Sequence, residues 1–146
     1  GKNMEYLDPV TNEKFIPNVI ENSYGLDRAI LAVICNAYDV ETLPDGEVRE
    51  IMHLSPKIAP FKVAILPLIK RDLSEKAHEL FRELAKEFRV TYDETGTIGK
   101  RYRRQDQIGT PLCVTVDFDT LEDNKVTVRN RDTMEQLRMP ISEIKK

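Results

Sequence analysis

The sequence predicts an α/β fold, namely a mixed five-stranded sheet with packed helices, preceded by a β-hairpin and one helix. In the second half of the chain, strand-like runs alternate with helical patterns in the order β-α-β-α-β-β-β, which right-handed crossovers and terminal hairpins convert into one mixed sheet. One segment repeats its apolar residues at helical spacing. With 146 residues, 40% of them hydrophobic, the chain can form one domain and part of another.

The first element predicted is a β-hairpin. Residues 5–7 and 14–16 are strand-like and flank the polar stretch 8–13, whose Asp-Pro and Asn favour a turn. The second strand is expected to continue through residues 19–20.

A helix and a connector follow the hairpin. A polar break at 21–25 precedes a strongly apolar helix over 26–38. That composition is typical of a helix that is mostly buried. If its sheet partners are missing, the apolar surface of this helix is expected to be exposed. Acidic residues and prolines over 39–60 predict a connector that crosses a domain boundary, which we place between residues 55 and 56.

The α/β pattern begins after this connector. The continuous apolar run 63–66 predicts a strand covered on both faces. Ser74 is suited to cap the helix that follows. One face of that helix carries apolar residues at helical spacing, namely Ala77, Leu80, Phe81, Leu84, Ala85 and Phe88.

The remaining elements complete the sheet. Residues 90–92 predict a short strand, and 98–108 a second helix that ends at Gly109. Three further strands are expected at 112–118, 125–130 and 136–139. Residues 140–146 predict the start of a final helix.

Composition narrows the possible functions. The net charge of −3 and pI near 5.5 lack the overall basic balance typical of many nucleic-acid-binding proteins. Cys35 and Cys113 lie in apolar runs and predict buried free thiols, and the two distant histidines disfavour a dedicated zinc site. The apolar runs are too short for a membrane span, and no basic-then-apolar leader begins the chain. A cytoplasmic protein is expected.

The first candidate site joins a strand to the apolar helix, at residues 21–28. A helix N-terminus offers free N–H groups to anions, and the planar guanidinium of Arg28 suits a phosphate. Glu21 and Ser23 add a carboxylate and a hydroxyl at the same junction. A helix cap at Ser23 with a solvated first turn explains the same residues, so spacing alone leaves both interpretations open.

The second candidate site is a local basic patch on an otherwise acidic chain. Four cations surround one aromatic residue within the predicted helix 98–108, in the order Lys100, Arg101, Tyr102, Arg103 and Arg104. Cations attract nucleic-acid phosphates irrespective of sequence, and an aromatic ring can stack on an unpaired base. A solvated helix face is the alternative.

Residues 17–28, Pro-Asn-Val-Ile-Glu-Asn-Ser-Tyr-Gly-Leu-Asp-Arg, resemble motif 3 of class II glycyl-tRNA synthetases. The resemblance implies that Arg28 contacts the terminal phosphates of ATP. It also implies that Glu21 receives the ammonium group of glycine and that Ser23 lines the amino-acid pocket. Asn22 departs from the family pattern, in which proline is common at this position.

Residues 93–111 resemble the anticodon-binding domain shared by the glycyl, histidyl, prolyl and threonyl enzymes. The run Gly96-Thr97-Ile98-Gly99-Lys100-Arg101-Tyr102-Arg103-Arg104-Gln105-Asp106-Gln107-Ile108-Gly109 is similar to the glycyl branch in particular. Residues 118–120 and 129–134 also resemble that branch. The resemblance therefore implies the fold of this anticodon-binding domain for residues 56–146 and the end of the catalytic domain for residues 1–55.

The resemblance also implies roles in anticodon binding. Glycine tRNAs carry cytosines at the last two anticodon positions, and the cytosine amine is best matched by a carboxylate. Asp106 is the first choice for this readout and Glu94 the second. Arg101, Arg103 and Arg104, with Lys100, would hold the backbone or stack. Tyr102 is either a stacking platform or a core residue, and Arg129 and Arg131 either extend the basic surface or are exposed edge residues.

The implied parent enzyme is a homodimeric glycine–tRNA ligase, which uses ATP and Mg²⁺ to attach glycine to tRNA(Gly). Nothing in the 146 residues resembles class II motifs 1 and 2, so this chain alone is expected to bind tRNA weakly, to hold no cofactor and to be inactive. One alternative is a non-catalytic nucleic-acid-binding accessory protein of the same fold, of the polymerase accessory subunit type. Another is a ligand-binding α/β module. Glu21, Ser23 and Arg28 favour the synthetase.

Overall fold

The computed structural model describes residues 4–145 and divides into two units, one ending at Ile30 and the other beginning at Leu31. In the first unit, β1 (Tyr6–Leu7) pairs antiparallel with β2 (Lys14–Phe15). The Asp8 carboxylate holds the turn, since its Oδ1 accepts from the Val10 amide at 2.8 Å. The predicted continuation through residues 19–20 is wrong, because Pro17 lacks the N–H that a ladder needs and no strand forms there.

Helix α1 (Leu26–Ala37) forms where it was predicted, and Ala37 is its one buried residue. Its apolar side chains are exposed, among them Ile30 and Leu31. Cys35 is exposed as well, so the prediction of a buried thiol is wrong at this position. The apolar pattern reports a surface suited to burial, whereas burial itself needs a second layer packed on it.

A second hairpin occupies most of the predicted connector, which is therefore wrong as a description of residues 38–52. Strand β3 (Tyr38–Thr42) pairs antiparallel with β4 (Val48–Met52), and Gly46 supplies the left-handed residue of the turn at φ 83°. Arg49 and Ile51 are the buried positions of β4. A buried arginine removes the apolar–polar alternation that identifies a strand in a sequence.

The predicted five-stranded mixed sheet is confirmed. Its order is β6-β5-β7-β8-β9, in which β5 runs parallel to β6 and β7 while β8 and β9 are antiparallel. The elements after the hairpin are β5 (Val63–Pro67), α2 (Lys70–Leu84), β6 (Val90–Tyr92), α3 (Ile98–Ile108), β7 (Leu112–Val116), α4 (Asp119–Asp123), β8 (Lys125–Asn130), β9 (Gln136–Pro140) and a 3₁₀ turn (Ile141–Glu143).

Helices cover both faces of the sheet. Helix α2 packs on one face through Leu73, Ala77, Leu80 and Leu84, against Val63, Ile65, Val114, Val116 and Val126. On the other face, Ala64, Leu66 and Cys113 contact Ile98 and Tyr102 of α3. All five residues of β5 are buried, as its continuous apolar run predicted. Burial also raises the pKa of the Cys113 thiol to about 12, which fits the predicted buried thiol.

Three local expectations differ from the structure. Helix α2 begins at Lys70 with Ile69 as its N-cap, so Ser74 lies inside the helix and does not cap it. The third predicted strand ends at Val116, because the Asp117 carboxylate accepts from the Thr120 amide at 2.9 Å and starts the short helix α4. The final helix is a single 3₁₀ turn, and Lys146 lies outside the described residues. No helix within residues 4–145 is long and apolar enough to cross a bilayer.

Gly109 ends α3 in the left-handed conformation at φ 84°, as predicted for this glycine. A Cβ atom there would lie 2.9 Å from Leu54 Cδ1 and 3.0 Å from the Met52 carbonyl oxygen. The helix end therefore approaches the end of β4 closely at Gly109, where there is no room for a side chain.

We expect Gly109→Ala to lower the free energy of unfolding by about 2 kcal/mol or more, because it adds left-handed strain to a collision with backbone. Urea denaturation of the chain measures this. Gly99→Ala is the matched control: it lies in α3 with nothing within 4 Å of its added Cβ, so it should be neutral or stabilise by about 0.5–1 kcal/mol. Equal stabilities for the two variants would contradict the role of Gly109.

Candidate nucleic-acid interface

Helix α3 places the predicted basic residues around its whole circumference. Thr97 caps the helix, since its Oγ1 accepts from the Lys100 amide at 3.5 Å, and Gly109 ends it. Arg101 and Asp106 face the protein interior, whereas Lys100 is exposed and Arg103 and Arg104 are half-buried. The charge run is therefore not one continuous surface, because successive helical residues point about 100° apart.

Arg101 is a structural residue with 4% of its surface exposed. Its guanidinium donates to the carbonyl oxygens of Pro67 and Gly96, the latter at 2.7 Å. It thereby ties the loop before α3 to the carboxyl end of β5. The predicted contact of Arg101 with tRNA is incompatible with this burial.

Arg104 is held by the same loop. Its Nε and one terminal nitrogen donate to Asp93 Oδ2 at 2.8 and 2.6 Å, and the terminal nitrogen also donates to the Thr95 carbonyl at 2.5 Å. The Asp93 carboxylate compensates its charge, so Arg104 offers less attraction to phosphate than an unpaired cation would.

Glu94 joins β6 to the first turns of α2. Its carboxylate accepts from Lys70 Nζ at 3.0 Å and from the Tyr92 hydroxyl at 2.9 Å, and the Ser74 hydroxyl lies 3.0 Å away. The ammonium of Lys70, followed by the Tyr92 hydroxyl, lowers the pKa of Glu94 to about 2. With these donors in place, Glu94 is not a free acceptor for a base.

Asp106, the first choice for base readout, is fully buried. Its Oδ2 accepts from Arg49 Nε at 3.0 Å and from Arg129 at 3.2 Å, and its Oδ1 accepts from Arg129 at 2.9 Å. No base can reach this carboxylate in the observed arrangement. The predicted base readout by Asp106 therefore does not fit the structure, because Arg49 of β4 and Arg129 of β8 occupy both carboxylate oxygens.

A network of buried arginines extends from Asp106. Arg49 also donates to Glu41 Oε2 at 2.9 Å and to the Arg131 carbonyl. Arg131, 2% exposed, donates to the carbonyls of Leu54 and Gly109 at 2.9 and 2.8 Å. The exposed-edge and basic-surface interpretations of Arg131 are both wrong, since its guanidinium is used inside the protein.

A cleft of about 370 Å³ opens beside the exposed part of α3. It is lined by Glu47, Gly99, Lys100, Tyr102, Arg103 and Arg129. The Tyr102 hydroxyl lies 2.5 Å from Thr115 Oγ1, and the Arg129 guanidinium lies 4.8 Å from the Tyr102 ring centroid. A phenol ring fixed at its hydroxyl and backed by a guanidinium keeps one orientation in the cleft. Tyr102 thus serves both as core residue and as cleft wall.

The β3–β4 hairpin forms the opposite side of this cleft. Glu47 Oε2 accepts from an Arg103 terminal nitrogen at 2.6 Å. Sequence patterns missed Glu47 and Arg49 as members of this site, since no spacing rule links a hairpin to a helix about fifty residues away, whereas extension of the basic surface was one of the two interpretations of Arg129, which lies in the cleft wall. The sequence carries no signal for this link, because the burial of Arg49 and of Asp106, the one buried carboxylate among residues 4–145, is visible only in the structure.

The predicted motif 3 residues lie in another part of the chain. Glu21, Ser23 and Arg28 are exposed, and within residues 4–145 no side-chain hydrogen bond or ion pair holds any of them. These three groups alone do not enclose a ligand. ATP or glycine would need further walls around them.

The chain belongs to the anticodon-binding domain family, whose model matches residues 62–146. The relatives refine this class. The chain is 62% identical over 144 residues to the glycine–tRNA ligase of Clostridium beijerinckii, covering 99% of this chain and 31% of that protein. It is 57% identical to the glycine–tRNA ligase of Geobacillus kaustophilus with the same coverage of both proteins. The resemblance to glycyl-tRNA synthetases is confirmed, and the chain spans about a third of the length of these curated relatives.

Solved structures confirm the fold. The RNA-binding domain of threonyl-tRNA synthetase from Cryptosporidium parvum superposes with a TM-score of 0.58 at 25% identity, covering 63% of this chain and 24% of that one. Prolyl-tRNA synthetase from the same organism, complexed with L-proline and AMP, gives a TM-score of 0.58 at 30% identity, covering 66% of this chain and 21% of that one.

Acid should destabilise the chain partly through Glu94. Its folded pKa of about 2 lies below the ordinary value of 4.5, so its donors stabilise the fold above about pH 4.5 and that contribution is lost as the pH falls towards 2. We expect Glu94→Gln to lower the free energy of unfolding at neutral pH and to flatten its decline over this window. Tyr92→Phe, which removes one donor to Glu94, should have a free energy of unfolding at neutral pH between those of the unaltered chain and Glu94→Gln. Denaturant titrations at several pH values test this, and an unchanged slope in Glu94→Gln would contradict it.

Proposed function

We propose that this chain is part of a glycine–tRNA ligase and recognises the anticodon arm of tRNA(Gly) through the cleft beside α3. The observation that carries the proposal is the position of Lys100 and Arg103 beside the half-buried Tyr102 in this cleft. Cations supply attraction to phosphates, and an oriented aromatic ring stacks on an unpaired base. Glycine–tRNA ligase relatives over the whole length of the chain support this assignment, and no observation favours the polymerase-accessory alternative.

The cleft residues take separate roles in this proposal. Lys100 is exposed and has no ion pair with any described residue, so its ammonium is available to a phosphate. Tyr102 offers its ring to a base, and the Arg129 guanidinium, 4.8 Å from the ring centroid, helps to fix that ring. Asp106 is a positioning residue, since it orients Arg129 through two hydrogen bonds. Arg101 and Arg104 hold the loop that precedes the helix.

We infer that the rest of the chain belongs to the catalytic half of the parent enzyme. Residues 1–55 would be the end of a class II catalytic domain, with residues 56–146 as the anticodon-binding domain. In the full-length homodimer, Glu21 and Ser23 would receive glycine and Arg28 would hold the terminal phosphates of ATP, whose charge Mg²⁺ would neutralise. Because tRNA charging serves protein synthesis, we propose a cytoplasmic location.

Binding of a tRNA(Gly) anticodon stem-loop to the 146-residue chain tests the cleft. We expect Lys100→Ala to weaken binding and to reduce the slope of log K against log salt by about 1, because one phosphate contact is lost. Fluorescence anisotropy across a salt series measures both. Lys86→Ala, an exposed lysine outside the cleft, is the control and should bind like the parent chain. Identical salt slopes for the two variants, or no binding at low salt, would refute the cleft.

Glycine activation by the full-length enzyme tests Arg28. Removing a guanidinium that stabilises phosphate charge should slow glycine-dependent ATP–pyrophosphate exchange by roughly 10²-fold or more. Arg82→Ala, at an exposed position on α2, should leave the exchange rate unchanged. The 146-residue chain alone should show no exchange. Near-normal exchange by Arg28→Ala, or turnover by the chain alone, would overturn this part of the proposal.

A further inference from the structure

We propose that Glu47, at the end of the β3–β4 turn, is the specificity-determining carboxylate of the cleft and accepts a hydrogen bond from the exocyclic amine of an unpaired cytosine. The inference rests on the proposed tRNA function and adds its base-reading group. The proposed site then combines two parts of the chain, because the hairpin 38–52 lies outside the segment 62–146 that matches the anticodon-binding family.

The carboxylates near α3 differ in whether a base can use them as acceptors. A cytosine presents its amine to an acceptor, and an ionised carboxylate accepts without ever donating. Asp106 is buried and fully occupied, while Glu94 accepts from Lys70 and Tyr92. Glu47 is the one carboxylate among the residues that line the cleft, and 57% of its side chain is exposed. It is therefore the acceptor that a base in the cleft would meet.

The two oxygens of the Glu47 carboxylate differ in their hydrogen bonding. Glu47 Oε2 accepts from Arg103 at 2.6 Å, whereas no donor within residues 4–145 contacts Oε1. One oxygen is thus held, and the other keeps its acceptor capacity unused by any donor within residues 4–145. Arg103 also offsets the negative charge, so a polyanionic ligand can approach this side of the cleft.

The β3–β4 hairpin holds Glu47 in place. Its backbone is fixed in the turn, because its carbonyl accepts from the Leu43 amide at 2.9 Å and its amide donates to Asp45 Oδ1 at 3.0 Å. The strand that follows is anchored two residues later, where Arg49 donates to buried Asp106 at 3.0 Å. A base reader needs such a supported position, since discrimination depends on a short and directed hydrogen bond.

Opposite Glu47, the ring of Tyr102 and the ammonium of Lys100 complete a site for one nucleotide. A base stacked on Tyr102 would turn its edge towards the hairpin, with its phosphate towards Lys100. Uracil presents a carbonyl oxygen where cytosine presents its amine, so Glu47 would meet an acceptor and repel it. The expected preference is cytosine over uracil.

The experiment compares two anticodon stem-loops on the 146-residue chain, one of tRNA(Gly) and one with its last two anticodon cytosines replaced by uridines. The chain should favour the first by about tenfold or more. In Glu47→Gln this ratio should fall towards 1, because an amide can turn either its oxygen or its NH₂ to the base. The control Glu75→Gln changes an exposed carboxylate of α2, on the other face of the sheet, and should keep the full ratio.

The outcomes separate this inference from the function on which it rests. A chain that binds neither stem-loop defeats the anticodon-binding proposal itself. If the unaltered chain and Glu47→Gln show the same preference for the cytosine stem-loop, the anticodon-binding function is supported but the role of Glu47 is overturned. Equal binding of both stem-loops by the unaltered chain also overturns it. Since the ratio compares two ligands on one variant, a general loss of affinity or stability cancels from it.

Discussion

The buried carboxylate of Asp106 connects three elements of the second unit. It accepts from Arg49 of β4 and from Arg129 of β8 while itself belonging to α3. Without this partner the guanidinium of Arg129 would be buried uncompensated and that of Arg49 would keep Glu41 as its carboxylate partner, and breaking a buried pair costs about 3–5 kcal/mol. The same contacts hold the hairpin against the helix and the guanidinium of Arg129 beneath Tyr102. The shape of the cleft therefore depends on a residue that does not line it.

The arginines of this unit serve two purposes that the sequence does not separate. Arg49, Arg101, Arg129 and Arg131 are at least nine-tenths buried, and most of their donors go to backbone carbonyls and to Asp106. Planar guanidiniums suit this role because several directed donors satisfy loop and strand-end carbonyls at once. Lys100 and Arg103 remain for the ligand. An acidic chain can thus present a small basic site without a basic overall charge.

The β3–β4 hairpin lies outside residues 62–146, the segment that matches the anticodon-binding family, yet it contributes residues to the cleft and to the arginine network. Its inner side supplies Arg49 to the network, and its turn supplies Glu47 to the cleft. Gly109 permits the contact, since any side chain there would meet Met52 and Leu54. The helix end, the hairpin and the cleft are therefore in direct contact with one another.

Local patterns sufficed for the sheet, for helices α2 and α3 and for Gly109, because apolar periodicity and left-handed caps act over a few residues. The motif from Gly96 to Gly109 likewise sufficed for the resemblance to glycyl enzymes. Only the tertiary structure decided which charged side chains are available to a ligand. Lys100, Arg101 and Asp106 are all candidate tRNA contacts in the sequence, yet Lys100 is exposed and the other two are buried. Burial depends on what packs against a helix. The hairpin that packs against α3 is distant in the sequence, and its buried Arg49 breaks the apolar–polar alternation by which a strand is recognised.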